Sequence, residues 1–98
     1  ADPGWDLLLD LALQQLSGKD SYISGLAVGA GVPLTTALRH LQLLERMGLA
    51  VRVDDPMDRR RVRVLLTEEG MNRVRRYLQL SARAHRLSTD PGFDQQPT

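Results

Sequence analysis

The stretch Asp55-Pro56-Met57-Asp58-Arg59-Arg60-Arg61-Val62-Arg63-Val64-Leu65-Leu66-Thr67-Glu68-Glu69-Gly70 decides the fold. Within it, Arg61–Leu66 alternates Arg/Val/Arg/Val before ending Leu/Leu, the period-two pattern of a strand with one face buried. Just upstream, Leu49–Val53 alternates in the same way, so the two segments read as the arms of a hairpin. The seven residues between them, Asp54 to Arg60, include Pro56 and three acids. That composition predicts a long hairpin loop rather than a two-residue turn. Thr67 then offers an N-cap hydroxyl to a following helix, with Glu68 and Glu69 at its positive end.

Helices surround this hairpin. From Pro3 to Ser17, Leu8, Leu9, Ala12, Leu13 and Leu16 recur at helical spacing. Asp2 is placed to cap that helix, Pro3 suits its first turn, and Gly18 stops it. Tyr22–Ile23 reads as a very short extended segment that would lie beside a later strand. Ser24 is the expected cap of a short helix, Gly25 to Ala30, with Ile23 and Val28 in hydrophobic-staple positions. Gly31 turns the chain, and Pro33 opens a helix running to about Met47. Leu34, Leu38, Leu41 and Leu44, extended by Met47, form its apolar stripe; Thr35, Thr36, Arg39, His40, Leu43 and Arg46 face outward. Two helices joined by a short glycine-containing turn are a helix-turn-helix. After the hairpin, Met71, Val74, Leu78, Ala82 and His85 follow one face of a final helix, and Tyr77, Leu80, Ala84 and Leu87 an adjacent one. Residues 88–98 hold Pro91, Gly92 and Pro97 and read as a disordered tail. The expected fold is therefore α+β and mainly helical: helix, short strand, helix-turn-helix, two-stranded wing, C-terminal helix. This is a winged helix-turn-helix domain over residues 3–87.

Length and composition agree with one such domain. Ninety-eight residues with 42% apolar content allow a single modest core. Only four residues are aromatic, Trp5, Tyr22, Tyr77 and Phe93, so Leu and Val must fill the interior. The absence of cysteine excludes a disulfide scaffold, a thiolate metal site and thiol catalysis. Two histidines, His40 and His85, make a His-based zinc site improbable, and no metal or cofactor is expected. No apolar run is long enough to cross a membrane, and no signal-peptide pattern opens the chain. The net charge of +1 conceals a segregated distribution. Residues 1–58 carry −4, residues 59–86 carry +7 through nine arginines against Glu68 and Glu69, and residues 87–98 carry −2. A basic segment that starts at the hairpin tip is a common footprint of a polyanionic partner.

The segment Gly31-Val32-Pro33-Leu34-Thr35-Thr36-Ala37-Leu38-Arg39-His40-Leu41-Gln42-Leu43-Leu44-Glu45-Arg46-Met47-Gly48-Leu49-Ala50 resembles the recognition-helix segment of bacterial MarR-type regulators. The stretch Asp55–Gly70 resembles the wing signature of the same family, DP-x-DRR-x-x-x-V-x-LT-x-x-G. The first pattern is shared by many helix-turn-helix families; the second is fairly specific, and the two stand in the right order and separation. The resemblance covers roughly residues 6–83. It implies a sequence-specific transcriptional regulator that binds double-stranded DNA as a dimer in the bacterial cytoplasm, associated with the nucleoid. The recognition helix, residues 33–47, would enter the major groove and the wing, residues 54–61, the minor groove. The resemblance also implies a helix ahead of residue 1 and a longer C-terminal helical region in full-length relatives, which build the dimer. Family members often bind aromatic effectors beside that region; with few aromatics here, an intact effector pocket is not expected.

The candidate contacts follow from groove chemistry. Thr35, Thr36, Arg39 and His40 lie early on the recognition helix, where base edges are read; Arg39 suits a bidentate contact to guanine. The plainer alternative makes the two threonines helix-surface filler and His40 an ordinary solvated histidine. On the wing, Arg60 suits the narrow minor groove, and Asp58 stands two residues before it, where the resemblance implies that it braces the guanidinium. The alternative there is a solvated turn with a weak surface ion pair. Arg59 and Arg61 are candidate phosphate contacts, although alternation puts Arg61 and Arg63 on the solvent face of the hairpin. Tyr77, Leu80, Ala84 and Leu87 are the candidate homodimer face, unless they pack against Leu8–Leu16 within the chain. Three features depart from the family pattern: Pro33 replaces a capping Ser or Thr, Leu43 faces outward, and the chain is shorter than full-length relatives. A winged helix acting as a protein-interaction module is the alternative function, with Leu43 as its best support. No clustered acid–base pair, metal-ligand spacing or phosphate-binding glycine loop suggests an enzyme.

Overall fold

The computed structural model describes residues 3–88. The chain runs α1 (Pro3–Leu16), β1 (Ser21–Tyr22), α2 (Ile23–Ala30), α3 (Leu34–Arg46), β2 (Ala50–Asp54), β3 (Val62–Leu66) and α4 (Glu68–Ser88). The three strands form one antiparallel sheet in the order β1-β3-β2. Ala50 pairs with Leu66 and Arg52 with Val64, while Ser21 pairs with Val64 from the other side. The expected order of elements is thus the observed one. The expected cap Asp2 and residues 89–98 of the expected tail lie outside the described residues; Ser88, the first residue of that tail, is the last of α4.

The core joins all the larger elements. Leu7, Leu8, Leu11 and Ala12 of α1, Leu26 of α2, Leu41 and Leu44 of α3, Leu49, Val64 and Leu66 around the sheet, and Val74 of α4 are buried together. Leu41 is 0% exposed, so Leu41→Ala would leave a cavity and cost about 2–5 kcal/mol.

Several boundaries and faces differ from expectation. Helix α1 buries Leu7, Leu8, Leu11 and Ala12, whereas Leu13 and Leu16 are exposed. Its leucines satisfy helical spacing in more than one rotation, and polar groups select among them. Gln14 accepts a hydrogen bond from the Ser21 hydroxyl at 2.8 Å, and Gln15 accepts one from the Leu66 N–H at 3.2 Å. Helix α2 begins at Ile23 with Tyr22 as N-cap, so Ser24 lies inside the first turn. Val28 is 81% exposed and closes no staple with Ile23. Pro33 is the N-cap of α3 rather than its first helical residue, with extended backbone (φ −60°, ψ 151°).

Glycine sets the two turns that flank α3. Gly31 has φ 68°, and the N–H groups of Gly31 and Val32 bond to the Val28 and Ala27 carbonyls. Gly48 has φ 74°, and the N–H groups of Gly48 and Leu49 bond to those of Glu45 and Leu44. Both are Schellman closures, which need a left-handed residue that only glycine adopts without strain. They fix where α3 enters and leaves, and hence the angle at which the hairpin departs from it.

Candidate nucleic-acid interface

Helix α3 buries Ala37, Leu41 and Leu44. Leu34, placed on the inner stripe by sequence, is 47% exposed, and Ala37 takes the inner position instead. That rotation decides what faces out. Thr35, Arg39, Gln42 and Arg46 are exposed and stand at i, i+4, i+7 and i+11, one straight line along the helix. Thr36 and His40 are half-buried on the flank. His40 lines a small cavity with Asp6, Leu7, Ala30, Val32 and Ala37, so it turns toward α1 and α2 rather than joining Arg39. Leu43 lies on the same flank, lining a cavity with Trp5, Leu8, Leu44 and Met47. Gln42, not singled out from sequence, joins the outward line; its position seven residues after Thr35 was the signal available.

The hairpin loop is ordered by its own aspartates. Asp55 Oδ1 accepts the Met57 N–H at 2.8 Å, and Asp58 Oδ1 accepts the Arg60 N–H at 3.0 Å. These are Asx turns, in which a carboxylate replaces a backbone acceptor two residues away. The Arg61 N–H bonds to the Asp58 carbonyl at 3.0 Å, and the Asp55 N–H to the Arg61 carbonyl at 3.2 Å. Asp58 Oδ1 also accepts Arg60 Nε–H at 3.3 Å. The Arg60 side chain is 91% exposed, so this contact aims the guanidinium rather than adding stability.

The outer face of the sheet is more engaged than alternation predicts. The Arg61 guanidinium lies 3.7 Å from the Tyr22 ring centroid. The Tyr22 hydroxyl donates to Asp55 Oδ2 at 3.0 Å. Arg63 is half-buried and donates to Asp20 Oδ1 at 2.9 Å, so it does not stand free on a solvent face. Asp55 itself is only 8% exposed. The Met57 N–H holds its carboxyl below the usual value, with help from the Tyr22 hydroxyl, the Asp58 N–H and the Arg61 charge, against burial. The hydrogen bond to Asp55 pushes the Tyr22 phenol up, burial adds to this, and Arg61 partly opposes it. On the opposite edge of the sheet, Arg52 of β2 grips Glu45 of α3 through two hydrogen bonds, at 2.8 and 3.1 Å.

A family model described as a winged helix DNA-binding domain matches residues 31–70, the segment holding α3 and the hairpin. Solved structures extend the likeness over nearly the whole chain. The Staphylococcus aureus MepR–DNA complex superposes with a TM-score of 0.81 at 22% identity, over 90% of this chain and 69% of that one. MarR superposes with a TM-score of 0.72 at 26% identity, over 89% of this chain and 61% of that one. PcaV from Streptomyces coelicolor, solved with its natural ligand, gives 0.70 at 26% identity, over 93% and 62%. The fold is that of a winged helix domain, shared with these three structures. No curated protein matches it in sequence. Against MarR and PcaV, the chain spans less than two thirds of the other protein's length.

In this winged helix domain the Thr-x-x-Gly end of the wing signature has a structural reason. The Thr67 hydroxyl accepts the Gly70 N–H at 3.0 Å and donates to the Gly48 carbonyl at 2.6 Å, while the Thr67 N–H bonds to the Leu49 carbonyl. A Cβ at Gly70 would collide with that Leu49 carbonyl. The start of α4 is thus stapled to the turn that ends α3. Farther along α4, the Tyr77 ring meets Trp5 of α1 edge-on, with centroids 4.7 Å apart. Leu80 is 65% and Leu87 59% exposed, and Ala84 is exposed as well. Within the chain, Tyr77 of that face packs on Trp5, and Leu80 lines a shallow cavity with the same two rings. Among the described residues, no helix is long and apolar enough to cross a membrane.

Proposed function

We propose that this domain is the sequence-specific, double-stranded DNA-binding part of a bacterial, cytoplasmic transcriptional regulator. The observation that carries the reading is the pairing of two projecting features on one domain. One is the exposed line Thr35, Arg39, Gln42 and Arg46 on α3; the other is the Arg60 guanidinium held by Asp58 on the wing. A helix line of this width fits the major groove, where Arg39 suits guanine and Gln42 suits adenine. The Arg60 tip suits the negative potential of a narrow minor groove. Thr35, Thr36, Arg46 and Arg59 are assigned to phosphate or base-edge contacts beside them. Arg61, stacked on Tyr22, and His40, turned to the flank, serve the framework first.

Two copies related by a twofold axis would set their recognition helices one helical turn apart on a pseudo-palindrome. The exposed face of Leu80, Ala84 and Leu87, with the outer edge of Tyr77, is the proposed seam. The interaction-module alternative keeps an exposed Leu43, but that side chain lies off the Thr35–Arg46 line, at a cavity it lines with Trp5. Selection of bound duplexes from a random DNA pool tests the function. Enrichment of an inverted repeat is expected; recovery of the starting pool without enrichment would overturn the reading.

A further inference from the structure

The Tyr22 side chain touches both ends of the wing loop. Its hydroxyl donates to Asp55, where the loop leaves β2, and its ring face carries the Arg61 guanidinium, where the loop rejoins β3. Tyr22 is also the N-cap residue of α2, the first helix of the helix-turn-helix. Its backbone pairs with Arg63 of β3. One residue thus fastens the loop that bears Arg60 to the frame that bears α3.

The attachment is specific in its chemistry. Asp55 has one carboxylate oxygen on the Met57 N–H inside the loop and the other on Tyr22 outside it. The same carboxylate therefore shapes the loop and ties it down. The Arg61 carbonyl closes the loop on the Asp55 N–H, so the stacked guanidinium and the tied carboxylate belong to one closed ring of residues. Arg60, one residue from Arg61, inherits its position from that ring. No other aromatic side chain among the described residues lies at the wing; Trp5 and Tyr77 pair with each other on α1 and α4.

We propose that Tyr22, acting through Asp55 and Arg61, is a positioning residue that presets the wing so that Arg60 meets the minor groove without first ordering the loop. This rests on the DNA-binding reading above. A loop that is already ordered binds without losing freedom on contact, so loosening it weakens affinity without removing any contact.

The test uses the full chain and Tyr22→Phe, which keeps the ring beneath Arg61 and deletes only the hydroxyl. Amide hydrogen exchange is measured first, without DNA. Faster exchange at Met57, Arg60 and Arg61 is expected in the variant, with the melting temperature held; unchanged exchange at all three would overturn the proposal. Affinity for the duplex enriched by the wild-type protein is then measured for Tyr22→Phe, Arg60→Ala and the double variant. The expected loss for Tyr22→Phe is about three- to tenfold, the range for ordering a loop side chain. In the double variant the loss should match that of Arg60→Ala alone, because Tyr22 works through the wing. Fully additive losses would overturn the positioning role. If the wild-type protein enriches no duplex, the DNA-binding reading fails, and the exchange measurement still judges the latch by itself.

Discussion

The guanidinium of Arg60 concentrates the expected binding energy at one atom group. Arg60→Ala is expected to cost about 1–3 kcal/mol of DNA affinity, the range for a good base contact. Titration of the enriched duplex checks this, and undiminished affinity contradicts the assignment. Gln42→Ala should relax preference at a single base pair while leaving neighbouring positions intact, read by repeating the pool selection with the variant. The Asp58–Arg60 contact was legible in sequence because its partners are two residues apart. The Tyr22–Asp55 bond was not: 33 residues separate the partners, and a tyrosine in a two-residue strand carries no local signal. The half-buried setting of His40 and the outward place of Gln42 share a reason that the sequence does not display. Of the leucine stripe, Leu41 and Leu44 are buried as expected, but Ala37 takes the inner place expected for Leu34, because a small residue is what close approach to α1 and α2 admits. Asp55 also predicts a pH response. Its carboxyl sits below the ordinary 3.8, so the stability it contributes is complete above that value and is lost as pH falls through the lower, folded-state value. Tyr22, Arg61 and Asp20 are the charged or titratable groups around this contact. The stability gap between wild type and Asp55→Asn should stay flat from neutral pH to about 4 and close below it. A gap that closes near neutrality would contradict the geometry.

At the scale of elements, the joint between the α3 turn and the start of α4 is the least tolerant place in the fold. Thr67 caps α4 and anchors it to Gly48 and Leu49, and Gly70 leaves room for the Leu49 carbonyl. Gly70→Ala is expected to destabilise by about 1–3 kcal/mol, as overpacking against backbone does. Thermal unfolding measures this; an unchanged melting temperature would show that the two elements separate freely. The hairpin and the helix-turn-helix were legible because their signals are local: alternation, a capping threonine and glycine stops. Strand β1 was anticipated only as a short extended segment, since two residues specify a strand solely through the neighbour they pair with. The rotation of α1 was likewise hidden. A helix with leucines on several faces declares its inner side only through Gln14 and Gln15, whose partners lie across the fold.

Across the whole molecule, charge and shape are both unevenly shared. The acidic front of the chain includes Asp6 and Asp10 on α1, while most of the arginines lie from the wing onward. Exposed Arg39, Arg46, Arg59 and Arg60 give about four phosphate-range cations per copy, so the slope of log affinity against log salt should lie near −3 to −4 per copy. A slope near zero would favour an apolar protein partner. The mass in solution tests the seam: a species of one chain at high micromolar concentration contradicts it. Helix α4 adds one more consequence. Residues 78–87 are exposed throughout, about 15 Å of helix extending past the ring contact between Tyr77 and Trp5. Solvated helices of such length sit near the edge of stability in water. The far turns of α4 should therefore fray in dilute solution and wind up when a second surface covers them. Far-UV ellipticity becomes a gauge of crowding at that end: it should deepen as concentration rises through the association range, and stay level in a protein that remains alone.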